Sequence, residues 1–237
     1  MLLQANPKSP PAPYLISNAE KDTISLMVPA KGEEGRRFAA VRKGTKLSVK
    51  GPLGRHIVRA EYGNIAIVCD AKTAGAACWI GQSLRGGENK VYLIVGIKGK
   101  PTKQLNAMLD ESADKVFVVS DAQSKIGYPS VNELHNLMRK KHISLTFTLV
   151  DLPLSYQLAR ITHLRSKTFS FLTPILDDGV GICADCRVMY DGETKLACIE
   201  GPALDAHKIE WESLLGRHGH EFDGERATLD LSTKKGN

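Results

Sequence analysis

NIAIVCDAKTAGAACWIGQSLRGGENKVYLIVGI, residues 64–97, holds two apolar runs on either side of a segment rich in small residues. The runs NIAIVC (64–69) and KVYLIVGI (90–97) are short and nearly unbroken, so they predict strands buried on both faces, as in a parallel sheet. TAGAACWIGQSLR (73–85) predicts a helix lined with small residues.

The same unit continues along the chain. PTKQLNAML (101–109) predicts a helix with proline at its start, KVFVVS (115–120) a strand, and PSVNELHNLMRKKH (129–142) a helix. That helix carries Leu134, Leu137 and Met138 on one face and basic residues in its last turn. SLTFTLV (144–150), PLSYQLARITHL (153–164) and TFSFLT (168–173) predict strand, helix and strand. Strands alternating with helices imply an α/β fold with a doubly wound parallel sheet. Upstream, residues 1–60 read as β-rich. TISLMV (23–28) and KLSVK (46–50) predict strands, AKGEEGRR is a polar segment between them, and GPLG (51–54) is a turn. Pro7, Pro10, Pro11 and Pro13 keep the start of the chain out of a central strand.

The chain has 237 residues, 42% hydrophobic and 24% charged, an ordinary balance for a globular protein. The net charge of +6 includes short runs at Arg139-Lys140-Lys141 and Lys234-Lys235. No aromatic residues are interleaved with them, so they read as solvated faces and predict no nucleic-acid partner. No apolar run approaches the ~18 residues of a membrane span. MLLQANPKSPP has neither a basic leader nor a long apolar core, so no signal peptide is expected. A reducing, cytoplasmic setting follows, in which clustered cysteines favour metal over disulfides.

Three of the five cysteines fall in DDGVGICADCRVMYDGETKLAC (177–198). Cys183 and Cys186 form a C-x-x-C pair, Cys198 follows, and Asp178 precedes Cys183 by five positions across Gly179 and Gly181. The pattern D-x4-C-x2-C-x11-C has the spacing of plant-type 2Fe–2S proteins, with a carboxylate in the first slot. Three other readings use the same thiols: a zinc site completed by His207, a thioredoxin-like pair, and three unligated thiols. Cys69 and Cys78 lie in apolar segments and read as core residues. His218-Gly219-His220 reads as solvated. Asp205 and His207 are expected to order the segment after the cysteines. Trp79 and Trp211 read as packing residues, with Trp211 also a candidate cover for a cluster or a partner surface.

DDGVGICADCRVMYDGETKLACIEGPALDAH resembles the cluster region of the ferredoxin reductase-like family. The likeness is strongest to small subunits of NADH-dependent ferredoxin:NADP oxidoreductases and more distant to electron-transfer subunits of dihydroorotate dehydrogenases. It extends over nearly the whole chain, with GPLG matching the turn that closes the family's barrel. The resemblance implies a shortened flavin-type β-barrel at 1–60, a nucleotide-binding-like α/β domain at 61–173, and a 2Fe–2S cluster domain and tail at 174–237. It implies the metal ligands Asp178, Cys183, Cys186 and Cys198; the family's small subunit carries aspartate in the first slot.

Three nucleotide motifs depart from the family. PPAPYLIS (10–17) lacks the arginine and the hydroxyl of the flavin motif and keeps Pro13 and Tyr14. GEEGRR (32–37) places two glutamates in the phosphate loop, and CDAKTAGA (69–76) replaces the glycines of the strand-end loop. A later Gly-Pro turn reads Asp151-Leu152-Pro153. The departures predict that NAD(P) is not bound and leave FAD as the alternative, held by backbone contacts and stacking on Tyr14. The leading expectation is a non-catalytic electron-transfer subunit of an oxidoreductase, relaying single electrons through a 2Fe–2S cluster. Its implied partner in a hetero-oligomer is a larger flavoprotein and iron–sulfur subunit resembling the glutamate synthase small subunit. The alternatives are a working reductase with FAD and NAD(P)H, and a structural zinc protein.

Overall fold

The computed structural model describes residues 1–5, 10–28, 32–120 and 128–218. The chain opens with β1 (Leu2–Gln4), β2 (Ala12–Pro13), β3 (Ile16–Glu20), β4 (Thr23–Leu26), α1 (Gly32–Ala39) and β5 (Ser48–Lys50). The alternating part comprises β6 (Asn64–Asp70), α2 (Ala74–Leu84), β7 (Lys90–Ile97), α3 (Lys103–Ser112), β8 (Lys115–Ser120), α4 (Pro129–Lys140), β9 (Leu145–Leu149), α5 (Leu152–Thr162) and β10 (Lys167–Phe171). A single 3-10 turn, Thr173–Ile175, leads to β11 (Arg187–Tyr190), β12 (Glu193–Leu196), α6 (Ala197–Glu200), β13 (Ala203–Asp205) and α7 (Trp211–His218).

Six strands form one sheet in the order β13-β10-β9-β6-β7-β8. β6 to β10 are parallel, and β13 adds antiparallel to the β10 edge, pairing Ser170 with Leu204. Both faces of the central strands β6 and β7 are covered, which is why they read as continuous apolar runs. Ile65, Ile67 and Cys69 face one core with α2 and α3, while Ala66 and Val68 face the other with α4 and α5. Leu134 and Leu158 are fully buried there, each worth about 1.5–3 kcal/mol by transfer.

Close approaches set the layer spacing. The position a Cβ would take at Gly81 collides with the carbonyl oxygen of Ser112, so α2 meets the end of α3 through a glycine. On the other face the strands carry hydroxyls in pairs. Thr148 meets Ser170 at 2.8 Å, Thr146 meets Ser166 at 2.9 Å, and Thr168 donates to Thr162 at 2.7 Å. Each of these hydroxyls has a partner, so small polar groups lie under α5 without an orphaned donor, whereas the buried Thr173 hydroxyl beyond β10 has none. Asn89 anchors the entry to the sheet: its Oδ1 accepts the amides of Tyr62 (2.6 Å) and Gly63 (3.0 Å), and its Nδ2 donates to the carbonyls of Ala60 and Leu84 (2.9 Å each).

The barrel expected for 1–60 is not closed. Among the described residues this region forms a three-stranded antiparallel sheet, β2-β1-β5, and a separate hairpin, β3–β4. Two physical causes are visible. The prolines at 10, 11 and 13 lack amide donors and limit β2 to two residues. GEEGRR, expected as a loop, coils into α1 and interrupts the run of strands; the side chains of Glu33 and Glu34 lie outside the described residues.

The small sheet is clasped to the region after β10. The Arg55 amide donates to the Gly201 carbonyl at 2.6 Å, and the Lys50 ammonium donates to the Asp178 carbonyl at 2.8 Å. Leu2 and Leu53 join a third core with Cys186, Cys198, Leu204 and Trp211. The small sheet therefore braces the cysteine loop.

Candidate metal centre

The loop between the 3-10 turn and β11 folds tightly because its residues accept left-handed backbone. Gly179 (φ +70°), Gly181 (φ +80°) and Ala184 (φ +57°) all lie in that region. Gly179 is further constrained by contact: a Cβ there would stand 2.7 Å from Leu53 Cδ1 and 3.0 Å from Leu2 Cδ1.

These turns aim four successive amides at one carboxylate. Asp178 Oδ1 accepts from Val180 (2.9 Å) and Gly181 (3.1 Å), and Oδ2 accepts from Ile182 (2.9 Å) and Cys183 (2.6 Å). Those donors, first the Val180 and Cys183 amides, hold the Asp178 carboxyl down at about 2, against the opposing effect of desolvation. The Cys183 thiol also hydrogen-bonds to Asp178.

The other two thiols lie deeper. Cys186 and Cys198 are each 1% exposed, and the Cys198 amide donates to Cys186 Sγ at 3.5 Å. Burial first, then the hydrogen bond and charge of the neighbouring Cys186, pushes the Cys198 thiol up to about 12; Asp178 adds to the rise. All three cysteines are free thiols. The four expected ligands thus fall into two pairs, Asp178 with Cys183 and Cys186 with Cys198. Among the described residues no three of these four have donor atoms within 4.8 Å of one another.

The one group of that tightness among the described residues is Asp177, Cys183 and Asp185, which sequence reasoning missed. The signal was available in DDGVGICAD, where a carboxylate flanks the loop on each side, but only the left-handed turns bring the two together. Asp177 and Asp185 also line an open cleft of about 520 Å³ with Arg187 and Arg217, which offset their charge.

The remaining candidates lie apart from the loop or behind it. Cys69 and Cys78 are buried in the core under α2, as their apolar surroundings predicted. His207 Nε2 lies 3.2 Å from Thr162 Oγ1, and its amide donates to Asp205 Oδ1 at 3.1 Å, so the pair ties β13 to α5. Burial pushes the His207 imidazole below its ordinary value; Asp205 opposes that shift, and His163 adds to it. Trp211 donates its Nε1–H to the Ala206 carbonyl at 2.8 Å and shares a core with Cys186 and Cys198. Trp79 is half-buried on α2. His218 is buried at the end of α7, not solvated as expected; Gly219 and His220 lie outside the described residues. Tyr14 is 8% exposed, with its ring edge-on to Phe38 of α1 at 5.8 Å.

The cysteine loop and the chain around it have relatives among known proteins. Residues 173–210 match the family described as the iron-sulfur cluster binding domain of dihydroorotate dehydrogenase B. A dihydroorotate dehydrogenase B (NAD(+)) electron transfer subunit homolog from Thermotoga maritima is 23% identical over 220 residues, covering 91% of this chain and 77% of that protein. An uncharacterized protein in the adh 3' region of Clostridium beijerinckii is 27% identical over 234 residues, covering 92% and 77%. A chain of the NADH-dependent reduced ferredoxin-NADP oxidoreductase structure superposes with a TM-score of 0.78 at 19% identity, over 92% of this chain and 81% of that one.

The chain shares the fold of that oxidoreductase chain.

In open α/β sheets the ligand crevice lies where strand order reverses. Here the reversal falls between β6 and β9. The chain's own carboxylates sit at both helix starts beside it. Asp70 Oδ1 accepts the amides of Lys72 (2.7 Å) and Thr73 (3.0 Å) before α2, and Asp151 Oδ1 accepts the Leu154 amide (2.9 Å) in α5. Burial pushes the Asp70 carboxyl above its ordinary value, partly offset by those amides. The Thr73 hydroxyl crosses the gap and donates to the Leu149 carbonyl at the end of β9. Gly75 in the first turn of α2 lies so close to the β3–β4 hairpin region that a Cβ would stand 2.9 Å from Ser17 Cβ and 3.1 Å from Met27 Cε. No helix among the described residues is long and apolar enough to cross a membrane.

Proposed function

We propose that this chain is the electron-transfer subunit of an oxidoreductase complex and that Asp178, Cys183, Cys186 and Cys198 hold a 2Fe–2S cluster. The pairing of the donors carries this reading. One tetrahedral zinc needs four donors around one point. Two pairs suit a binuclear centre, with Asp178 and Cys183 on one iron and Cys186 and Cys198 on the other. Such a cluster supplies one-electron uptake and release when bound. The chain's residues orient it: Gly179 and Gly181 let the loop wrap closely, and Leu2, Leu53 and Trp211 wall it off from water on the inner side. Val180, Ile182 and Ile199 are 48%, 84% and 48% exposed beside it, an apolar rim that a partner subunit would cover.

In this reading the nucleotide sites no longer bind NAD(P) or FAD. Asp70 and Asp151 occupy the amides that a pyrophosphate would use, and the Thr73–Leu149 bond spans the crevice. The buried Tyr14 ring, edge-on to Phe38, supports the loss of flavin stacking. Residues 1–60, 61–173 and 174–237 then act as brace, scaffold and cluster domain. The proposed partner is a larger flavoprotein and iron–sulfur subunit resembling the glutamate synthase small subunit, in a cytoplasmic hetero-oligomer.

The deciding experiment measures iron, acid-labile sulfide, zinc and extractable flavin on one anaerobic preparation. About two irons and two sulfides per chain without flavin is the expected result. Zinc without sulfide overturns the redox reading. A stoichiometric flavin with the irons replaces it with a working reductase.

A further inference from the structure

The positive charge of this chain is concentrated in one segment. Residues 35–60 carry Arg36, Arg37, Arg42, Lys43, Lys46, Lys50, Arg55 and Arg59, with no aspartate or glutamate. These eight cations exceed the net +6 of the whole protein, so the rest of the chain is slightly acidic. All eight are exposed. Among the described residues no carboxylate pairs with Arg36, Arg42, Lys43 or Lys46.

The same segment borders an apolar opening. β1, β4, β5, α1 and the loop after α1 enclose an open cleft of about 570 Å³ lined by Leu3, Leu26, Phe38, Val41, Leu47 and Val49, among others. It is the interior of the barrel that does not close. Arg36, Arg37, Arg42, Lys46 and Lys50 are chain neighbours of lining residues, against one acidic neighbour, Glu34, so the apolar floor has a mainly cationic rim. β5 is the outer strand of its sheet, all three of its residues are exposed, and Val49 is 47% exposed. Lysines on an edge strand also discourage self-pairing, which disfavours a second copy of this chain here.

The cleft is one strand away from the cysteine loop. Leu2 and Leu3 are consecutive in β1 and point to opposite faces. Leu2 packs against Gly179 and the core of Cys186 and Cys198, while Leu3 lines the cleft. Lys50, at the end of β5, holds the Asp178 carbonyl.

We propose that this cleft docks an acidic, amphipathic segment of a partner protein, whose apolar side chains fill the barrel interior and whose carboxylates meet the rim. Charge complementarity selects the occupant: Arg36, Arg42, Lys43 and Lys46, which no described carboxylate pairs, disfavour a basic partner, and the floor offers a nucleic acid only the Phe38 ring, already edge-on to Tyr14. The proposal rests on the reading of this chain as a subunit of a complex. It adds where that complex is held and the chemistry of the segment that holds it.

The test uses the full chain isolated with its native partner at low ionic strength. Three forms are compared: the rim reversal Arg36→Glu/Arg42→Glu/Lys46→Glu, the cleft variant Val49→Asp, and the control Arg139→Glu/Lys140→Glu on α4. Circular dichroism and iron content establish that each is folded. The rim reversal is expected to weaken the complex by about 100-fold at ~0.1 M salt, and raising the salt should weaken the native complex steeply. Val49→Asp should also weaken it, by putting a charge on the apolar floor opposite an acidic segment, and the control should change neither affinity nor salt slope. The amides of 48–50 should gain exchange protection in the native complex. A complex that survives both the rim and the cleft variants, or a chain that isolates alone, overturns the proposal. So does binding of a short DNA duplex or of FAD that the same variants abolish in place of protein binding. Docking that persists in a chain without iron sinks the electron-relay reading alone; iron retained without docking sinks the surface alone.

Discussion

Asp178 anchors its own loop, and the ligand role proposed for it competes for the same atoms. Each of its oxygens accepts two amides, which uses the four lone-pair sites of a carboxylate. To ligate iron it must give up at least one of them. The structure therefore separates a ligand from a loop anchor experimentally. Asp178→Cys is expected to keep a cluster and move its potential, because a soft thiolate replaces a hard oxygen donor. A redox titration with an unchanged midpoint would make Asp178 an anchor only. Asp178→Asn keeps one accepting oxygen and loses the charge. In the cluster-free chain it should speed amide exchange at residues 180–183 by about tenfold, read by hydrogen exchange.

At the scale of elements, two positions decide how the layers meet. Gly81 sits inside α2, where alanine would gain about 1 kcal/mol of helix propensity. The Ser112 carbonyl occupies the space of the added methyl, so steric cost outweighs propensity. Gly81→Ala is expected to destabilise the fold by about 1–3 kcal/mol in denaturant unfolding. A net gain would show that α3 can move away from α2. Asn89 satisfies two amides and two carbonyls from a site that is 9% exposed. Asn89→Ala strands all four groups and should cost about 2–4 kcal/mol by the same measurement. The sequence announced β7 and β8 to the residue, because both leave unbroken apolar runs: β7 is buried along nearly its whole length, and β8 is a half-buried edge strand. It did not announce β13, whose three residues carry no period and whose place is set by distant β10. The failed barrel was equally hidden: closure depends on which strand edges meet, not on any one strand's pattern. In the cysteine loop, spacing revealed the expected ligands. The amide cradle of Asp178 and the approach of Asp177 and Asp185 to Cys183 depend on backbone turns at 179, 181 and 184, which residue types alone do not reveal.

At the scale of the molecule, three cores divide the labour. Two flank the parallel sheet, and neither contains a residue of the cysteine loop. The third joins Leu2 and Leu53 from the N-terminal region to Cys186, Cys198, Leu204 and Trp211. A cluster bound at the two donor pairs would stabilise the third core directly and the sheet only through the β10–β13 edge and α5. Removing iron with acid and a chelator, then returning to neutral pH, should therefore loosen the molecule unevenly. Amides near 2–4, 50–54 and 186–200 are expected to exchange at least about tenfold faster than in the loaded chain, while those of β6 and β7 stay protected. Uniform loss across the central strands would mean that the three cores fold as one cooperative unit and that the parallel sheet depends on the metal. Retained protection at 2–4 together with loss at 186–200 would mean that the clasp from Arg55 to Gly201 and from Lys50 to Asp178 holds the small sheet without help from the cluster.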